Sequence, residues 1–252
     1  MSSITFIQGD IRDKKMCETV VYQQDYIFHL AAQVSVQESQ EKPDYCYDVN
    51  VTGTHIILEA LRITENKAKF IFSSSCAVYG NQSEPCHESM QPAPTSVYAY
   101  SKLMGELLCQ QYYKLYGIAS VCLRYFNVYG TRQNPYGQYA GVYAKFSECM
   151  QKDKPITIFG DGMQSRDFIS VKQVVQANMY VAQLNRSLLQ GQPLNIGTGK
   201  ARTVLDIFND LKNQYHYTQD PQFKPSRSGD IFYSCAHVQE YEAVKHMFLQ
   251  KG

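Results

Sequence analysis

Short apolar runs alternate with longer amphipathic stretches along this chain. The short runs are rich in Ile, Val, Phe and Tyr, and the longer ones have helical periodicity, a pattern that is typical of βαβ units and a parallel sheet. In the first half of the chain the pattern predicts four strands, at 4–8, 25–29, 69–73 and 119–125.

Helices are predicted between these strands and in the second half of the chain. One long helix is expected over 43–63, and Ser96 can cap a second one that reaches about residue 116. After Asn127 the predicted pieces are shorter: strands at 156–159 and 193–196, and helices over 171–184 and 204–215. We therefore predict an α/β fold with a Rossmann-like doubly wound parallel sheet in residues 1–130. Residues 131–252 would form a small α+β substrate-binding lobe, with some segments returning to the main sheet.

Composition and charge exclude several classes of function. The 252 residues carry a net charge of +1, with acidic and basic residues mixed along the chain. This balance gives no footprint for nucleic acid or for an anionic membrane. No run approaches the roughly 18 apolar residues of a membrane helix, and the N-terminus has no secretory pattern. We expect a cytoplasmic protein.

Cysteine and histidine spacing indicates neither a disulfide framework nor a metal site. The eight cysteines are scattered without a C-x-x-C pair, and the six histidines lack ligand spacing. We expect reduced thiols that pack as small apolar groups.

The first candidate for chemistry is the pair Tyr98 and Lys102 in Tyr-Ala-Tyr-Ser-Lys, which lies on one face of the predicted second helix. A phenol that takes a proton near pH 7 needs its pKa lowered by about three units from about 10, and one nearby cation supplies about one to three units. Spacing alone is weak evidence, because Tyr241 and Lys245 repeat it. Without further context, a solvated helix face explains either pair.

Context separates the two pairs. Upstream of Tyr98 a predicted strand ends in Ser73-Ser74-Ser75-Cys76-Ala77-Val78-Tyr79-Gly80, followed by a proline-rich loop. This arrangement resembles the extended short-chain dehydrogenases, in which a strand-end Ser or Thr completes a triad with Tyr and Lys. The resemblance implies that Ser75, Tyr98 and Lys102 are catalytic, with Ser75 relaying a proton to the substrate.

Further blocks resemble the NAD-binding segments of the same family, and they assign the first domain to the cofactor. Gly-Asp-Ile-Arg is similar to an adenine-binding strand end, His-Leu-Ala-Ala-Gln to a loop beneath the cofactor, and Asn-Val-Thr-Gly-Thr to a family helix element. For Asn50, a satisfied helix residue is an equal alternative. The resemblance implies that the following residues bind NAD: Asp10, Ile11, Leu30, Ala31, Ala32, Asn50, Ser73, Tyr98, Lys102 and Tyr125.

The second half resembles the nucleotide-binding segments of UDP-sugar epimerases. Arginines in fork geometry suit a diphosphate, and the matching blocks contain two. The resemblance implies that these residues bind a UDP-sugar: Ser75, Tyr98, Asn127, Val142, Thr157, Phe159, Arg166, Arg227, Asp230 and Ser234.

The reaction that the resemblance implies is epimerisation at sugar carbon 4. The family's dehydratases carry an Asp-Glu pair where this chain has Cys76 and Ala77, which disfavours elimination. Ser234 stands where a small residue admits N-acetyl sugars, although Tyr233 beside it makes a one-residue shift consequential. We predict interconversion of UDP-N-acetylglucosamine and UDP-N-acetylgalactosamine, with UDP-glucose and UDP-galactose as further substrates. A UDP-uronate epimerase or decarboxylase remains an alternative.

One family feature has no counterpart in this sequence. Family members open with a strand, a G-x-x-G-x-x-G turn and a helix that holds the cofactor pyrophosphate, whereas this sequence begins at the equivalent of a third strand. Two expectations follow. One is an active NAD-dependent epimerase whose gene model is truncated, and the other is a truncated, non-catalytic family member that acts as a binding or dimerising protein. The resemblance also implies a homodimer through the helices near 43–63 and 97–116.

Overall fold

The structure is a computed structural model that describes residues 4–136, 141–226 and 231–249, except the side chain of residue 249. Its helices are α1 (Lys14–Val21), α2 (Val36–Glu41), α3 (Pro43–Tyr47), α4 (Gly53–Ile63), α5 (Val97–Tyr116), α6 (Val142–Gln151), α7 (Val171–Ala182), α8 (Val204–Tyr215) and α9 (Gln239–Leu249). Its strands are β1 (Tyr26–His29), β2 (Lys69–Ser75), β3 (Ser120–Tyr125), β4 (Asn127–Tyr129), β5 (Thr157–Phe159), β6 (Ser165–Ser170), β7 (Gln190–Ile196), β8 (Ala201–Thr203), β9 (Gln222–Lys224) and β10 (Tyr233–Ser234).

The chain forms two compact units that interleave along the sequence. The first unit comprises the chain up to residue 74 together with 96–122 and 184–192, and the second comprises 75–95, 123–183 and the chain from 193 onward. One sheet has the strand order β1-β2-β3-β7, and β1 pairs with β2 in parallel. The predicted α/β fold with a parallel central sheet is confirmed.

The core of the first unit lies between its sheet and the helices α1, α4 and α5. Its buried side chains come from the apolar face of each helix and from alternate positions of β2. They are Cys17, Val21, Ile56, Ile57, Leu58, Ala60, Leu61, Ala68, Phe70, Phe72, Cys109, Tyr112, Ile118 and Cys122.

Both long helices form where the sequence predicts them. The segment 43–63 is helical throughout as α3, a π-helical turn (Asp48–Thr52) and α4. Helix α5 begins at the Ser96 cap, whose hydroxyl accepts a hydrogen bond from the Ala99 amide at 3.1 Å. It ends at Gly117, which adopts a left-handed conformation with φ of +70°.

The predicted strand at 4–8 is wrong. Residues 4–10 have no regular secondary structure, and Ile4 and Phe6 are 96% and 85% exposed. A strand is stable only when a neighbour pairs with its backbone and covers its side chains. No strand in the described part of the chain pairs with this segment, so its β-favouring composition alone is insufficient.

The second unit contains two smaller sheets. In one, β6 lies between β10 and β4, with both neighbours parallel to it, and β8 pairs with β6 antiparallel. In the other, β5 pairs with β9 in parallel. A separate apolar cluster from α6, β5 and α8 includes Phe146, Ile158 and Phe208.

All eight cysteines are free thiols. The described residues contain no cluster of three or more His, Cys, Asp or Glu side chains placed to hold a metal ion. Nor does any helix within the described ranges have the length and apolar character needed to cross a membrane.

Candidate active site

The predicted site residues form two groups, one in each compact unit. The group in the first unit comes from the segment before α1, the residues after β1, the π-helical turn before α4, the end of β2 and the first two turns of α5. It contains Asp10, Ile11, Leu30, Ala31, Ala32, Asn50, Ser73, Tyr98 and Lys102.

Lys102 is a buried cation held at the end of β2. Lys102 is only 4% exposed, and its Nζ donates a hydrogen bond of 2.9 Å to the main-chain oxygen of Ser73. Nζ also lies 5.1 Å from the ring centroid of Phe72 and 5.9 Å from that of Tyr98. Burial lowers the pKa of Lys102 to about 8, against a smaller opposing effect of the Cys46 thiol.

Close packing of α5 on β2 brings Lys102 to this position. Gly105 faces the ring of Phe72, and a Cβ atom at Gly105 would lie 2.3 Å from the Phe72 Cζ. Only glycine permits this approach, which carries the preceding turn of α5 against the strand. Upstream, the Ser39 hydroxyl accepts a hydrogen bond of 3.1 Å from the Tyr98 amide and fixes the start of the helix.

Asn50 links the loop after β1 to the turn of α5 that carries Tyr98. Its carboxamide exchanges two hydrogen bonds with the main chain of Gln33, at 2.7 and 2.9 Å. The same carboxamide donates to the Ser101 hydroxyl at 2.8 Å, and this hydroxyl donates to the Tyr98 carbonyl at 2.8 Å. Asn50 is 2% exposed. Its side chain therefore bonds other groups of the protein and holds the loop after β1 in place.

The remaining residues of this group lie nearer the surface. Leu30 is 65% exposed, and Ala31 follows it with a methyl group that leaves the backbone accessible. The Asp10 carboxylate accepts hydrogen bonds from Arg12, which hold the pKa of Asp10 at about 2. Ile11 packs on the core of the unit and contacts Gly53.

The donors and small residues of this group fit NAD. An ammonium has three N–H donors, and Lys102 uses one, on Ser73; its other two have no acceptor among the described residues. A ribose diol supplies hydroxyl oxygens of the kind that such a buried cation requires. The small side chains of Ala31, which is exposed, and of Ala32, which is half-buried, leave the backbone after β1 accessible to a cofactor.

The second group lines a cleft within the second unit. This cleft has a volume of about 720 Å³ and brings together five of the predicted substrate residues. They are Asn127, Val142, Thr157, Phe159 and Arg166. The cleft is also lined by residues that the sequence analysis did not select, among them Gln133, Tyr143 and Lys145.

Ser75, Arg166 and Ser234 belong to the same unit. Ser75 ends β2, and its hydroxyl accepts a hydrogen bond of 3.2 Å from the Ala77 amide. Ser234 lies opposite Arg166 in the β10–β6 pair, and its side chain is a neighbour of the Cys76 thiol. Burial raises the pKa of Cys76 to about 11, so this residue is a neutral thiol.

Tyr125 ends β3, and its hydroxyl lies 2.9 Å from the Asn178 amide nitrogen on α7. Arg227 and Asp230, which the sequence analysis assigns to the substrate, lie outside the described residues. Lys245 of the repeated Tyr-x-x-x-Lys spacing pairs with Glu242 at 3.1 Å on exposed α9. This ion pair is of the kind that an exposed helix face commonly forms, as expected for the repeated spacing.

Sequence reasoning also missed residues that hold these groups in place, among them Ser101, Gly105 and Asp167. Ser101 stands inside the Tyr-Ala-Tyr-Ser-Lys motif, where a serine three residues after Tyr98 can donate its hydroxyl to the Tyr98 carbonyl. Gly105 is a mid-helix glycine, which is unfavourable by about 1 kcal/mol and therefore indicates a packing reason. Asp167 follows Arg166, and nothing in its local sequence indicates its partners.

The parallel sheet, with the buried Lys102 beside Tyr98, agrees with the resemblance to the class of extended short-chain dehydrogenases. Within that class the chain belongs to the NAD dependent epimerase/dehydratase family, whose model matches residues 1–197. The predicted family, enzyme class and cofactor are thereby confirmed.

Individual relatives and solved structures agree with this assignment. A putative UDP-glucose 4-epimerase of Methanocaldococcus jannaschii is 36% identical over 241 residues, which are 95% of this chain and 77% of the relative. A UDP-glucose 4-epimerase from Thermotoga maritima with UDP-glucose matches with a TM-score of 0.88 and 36% identity, over 94% of this chain and 77% of that one. A UDP-N-acetylglucosamine 4-epimerase from Methanobrevibacter ruminantium in complex with UDP-N-acetylmuramic acid has a TM-score of 0.88 and 35% identity, over 94% and 75%.

Proposed function

We propose that this protein is a UDP-sugar 4-epimerase that uses NAD and interconverts UDP-N-acetylglucosamine and UDP-N-acetylgalactosamine. The observation that carries the proposal is the buried Lys102 ammonium, 5.9 Å from the ring of Tyr98, in a chain similar to UDP-sugar 4-epimerases. The hydroxyl at carbon 4 is the group that such a pair would deprotonate.

Tyr98 is the proposed base and acid. The positive charge of Lys102 favours the phenolate, because an adjacent opposite charge stabilises the ionised form. This effect is stronger than in water, because Lys102 is buried and the effective dielectric constant around it is lower. Tyr98 takes the proton of the carbon-4 hydroxyl and later returns it, and Ser75 orients the sugar oxygen with its own hydroxyl.

NAD, when bound, supplies the hydride acceptor and donor at carbon 4. Lys102 would donate to its ribose hydroxyls, while Ala31 and Ala32 would lie beneath it and Asp10 and Ile11 would contact its adenine. Asn50 would act indirectly, by fixing the loop after β1. Tyr125 would lie against the nicotinamide.

The cleft of the second unit is the proposed UDP site. Arg166 would bind the diphosphate, because a guanidinium forms paired hydrogen bonds with phosphate oxygens. Thr157 and Phe159 would contact the uracil, with Val142 and Asn127 beside the sugar and the diphosphate. Arg227 and Asp230 would add a second diphosphate contact and a ribose contact.

Sugar choice is proposed to depend on Ser234. Successive residues of a strand point to opposite faces. The Ser234 side chain is a neighbour of Cys76, which follows Ser75, while the Tyr233 side chain is a neighbour of Cys235. This placement supports Ser234, rather than Tyr233, as the residue beside the reacting sugar, where its small volume would leave room for an N-acetyl group.

This substrate assignment is tested by turnover of UDP-N-acetylglucosamine, UDP-glucose and UDP-glucuronate by the purified chain with added NAD. We expect UDP-N-acetylglucosamine to be converted most efficiently. Ser234→Tyr should remove that activity and leave UDP-glucose turnover within about threefold, while Ser187→Tyr at an exposed site should change neither. Turnover of UDP-glucose or UDP-glucuronate alone by the natural chain would reject the assignment.

A homodimer is also proposed. Helix α5 exposes Tyr100, Met104 and Leu107 at 47%, 39% and 55%, on a single face of the helix. A second copy would cover this face through α5 and the 43–63 helices. Light scattering should give a dimer for the natural chain and a monomer for Leu107→Glu. The cytoplasmic location and the division at residue 130 remain predictions.

A further inference from the structure

Asp167 is a buried carboxylate with an unusually complete set of donors. It lies in β6 with 0% exposure. One oxygen accepts from the Thr198 amide at 2.9 Å and from the Thr198 hydroxyl at 2.6 Å. The other accepts from the Gly199 amide at 2.9 Å and from the Ala236 amide at 3.2 Å. A buried carboxylate requires such donors, since an unpaired one would be strongly unfavourable.

These donors come from two separate segments of the second unit. Thr198 and Gly199 form the turn after β7, and Ala236 follows β10 by two residues. The turn lies very close to the carboxylate, since a Cβ atom at Gly197 would be 2.6 Å from an Asp167 oxygen and 2.5 Å from the Ala236 Cβ. The carboxylate therefore connects three chain segments at one point.

Residues of the proposed substrate site depend on the same strand. Side chains alternate along β6, and the neighbours of Asp167, Arg166 and Phe168, line the cleft. The Asn127 carboxamide donates to the Asp167 carbonyl at 3.2 Å. Ser234 pairs with Arg166 across β10 and β6, two residues before the Ala236 amide that Asp167 holds.

We propose that Asp167 is a positioning residue for substrate binding: its carboxylate fixes β6 and the segment after β10, so that Arg166, Asn127 and Ser234 face the UDP-sugar. This inference rests on the proposed function of the cleft. Asp167 itself contacts no substrate. Its effect passes through backbone that the carboxylate anchors, so it concerns affinity and KM more than the chemical step.

The test compares Asp167→Asn and Thr198→Val with the natural chain. An asparagine directs N–H groups at backbone N–H donors, which should displace the segment after β10. Thr198→Val removes the hydroxyl donor and keeps the amide donor. Asp161→Asn, at an exposed turn before β6, is the matched control. UDP affinity is measured by calorimetry, thermal unfolding reports the fold, and KM and kcat are measured separately.

We expect UDP affinity to fall at least tenfold for Asp167→Asn and about threefold for Thr198→Val. KM should rise in parallel in both variants, while kcat stays within threefold of the natural value. Asp161→Asn should leave all three quantities unchanged. Folded Asp167→Asn that binds UDP like the natural chain would overturn the inference. If Asp167→Asn does not fold, Thr198→Val decides, and unchanged affinity there overturns it. If the natural chain itself does not bind UDP, the proposed function is rejected, and the inference about Asp167 is rejected with it. This result differs from the one in which the natural chain binds UDP and the variants bind it equally well.

Discussion

The Lys102 ammonium donates a hydrogen bond of 2.9 Å to the main-chain oxygen of Ser73. Ser73 lies two residues before Ser75 on β2, so the proposed cation is held to the strand that ends at the proposed serine. Because the acceptor is a backbone atom, the position of the ammonium depends on how closely α5 packs on β2. Substitutions of Lys102, of Tyr98 beside it and of Gly105, where α5 packs on β2, should therefore have separate effects on activity and stability.

Removing the cation should remove activity without unfolding the protein. Lys102→Met keeps the length and apolar stem of the side chain but leaves Tyr98 without its neighbouring charge. We expect kcat to fall at least about 100-fold, the lower end of the effect of positioned acid–base groups. Thermal stability should be retained or raised, because the substitution removes the cost of burying an ammonium group away from water. Lys245→Met at the repeated spacing is the matched control and should leave kcat unchanged.

Removing the phenol oxygen should separate chemistry from binding. Tyr98→Phe keeps the ring, so UDP affinity in calorimetry should remain within about twofold while kcat falls about 100-fold or more. Tyr241→Phe tests the same change at the repeated spacing and should retain full turnover. A Tyr98→Phe variant with normal kcat would show that another group takes the proton.

Close packing at Gly105 should be sensitive to a single methyl group. Gly105→Ala forces its Cβ toward Phe72, at 2.3 Å from Cζ in the undisturbed structure. Overpacking costs about 1–3 kcal/mol, and the better helix propensity of alanine offsets about 1 kcal/mol of it, so we expect the free energy of unfolding to fall by about 1–2 kcal/mol. Gly117→Asn is the control, because nothing lies within 4 Å of a Cβ at Gly117 and asparagine tolerates its left-handed conformation. Urea unfolding measures both variants, and equal stabilities would contradict the packing argument.

His29 should make stability depend on pH in the acidic range. Burial, with a smaller effect of the Lys102 charge, lowers the pKa of His29 to about 3 from 6.5. Thr54 donates to the Asn50 carbonyl at 2.6 Å, so its oxygen accepts from His29 Nε2, 3.0 Å away, and the ring is neutral. Between pH 6.5 and 3 the unfolded chain binds the extra proton, so stability is lost as pH falls through this window.

The His29 prediction is checked by urea unfolding between pH 7.5 and 4.5. His29→Gln keeps a donor for the Thr54 oxygen and should flatten the fall in stability. His87→Gln, at an exposed histidine, should retain the natural slope. Identical slopes for His29→Gln and the natural chain would exclude His29 as the cause.

Local signals predicted the parts of the fold that depend on neighbouring residues in the chain. Helix α5 was predicted closely because Ser96 caps it through Ala99, three residues away. The predicted strand at 4–8 is wrong, because a strand needs a pairing partner that the local sequence does not reveal. The same limit applies to the site: Asn50 bonds Ser101 across 51 positions, and Asp167 bonds Ala236 across 69. The sequence predicts the pair of Tyr98 and Lys102, whereas the Ser39 hydroxyl and the Phe72 ring that contact these two residues come from distant segments that the motif does not indicate.

Transfer of hydrogen at carbon 4 tests the central claim most directly. UDP-N-acetylglucosamine deuterated at carbon 4 is incubated in ordinary water with the natural chain and NAD, and the products are followed by NMR. We predict UDP-N-acetylgalactosamine that retains deuterium at carbon 4, and no product with Tyr98→Phe. Product that has lost the label to solvent, or a natural chain that yields no epimer, would contradict the account.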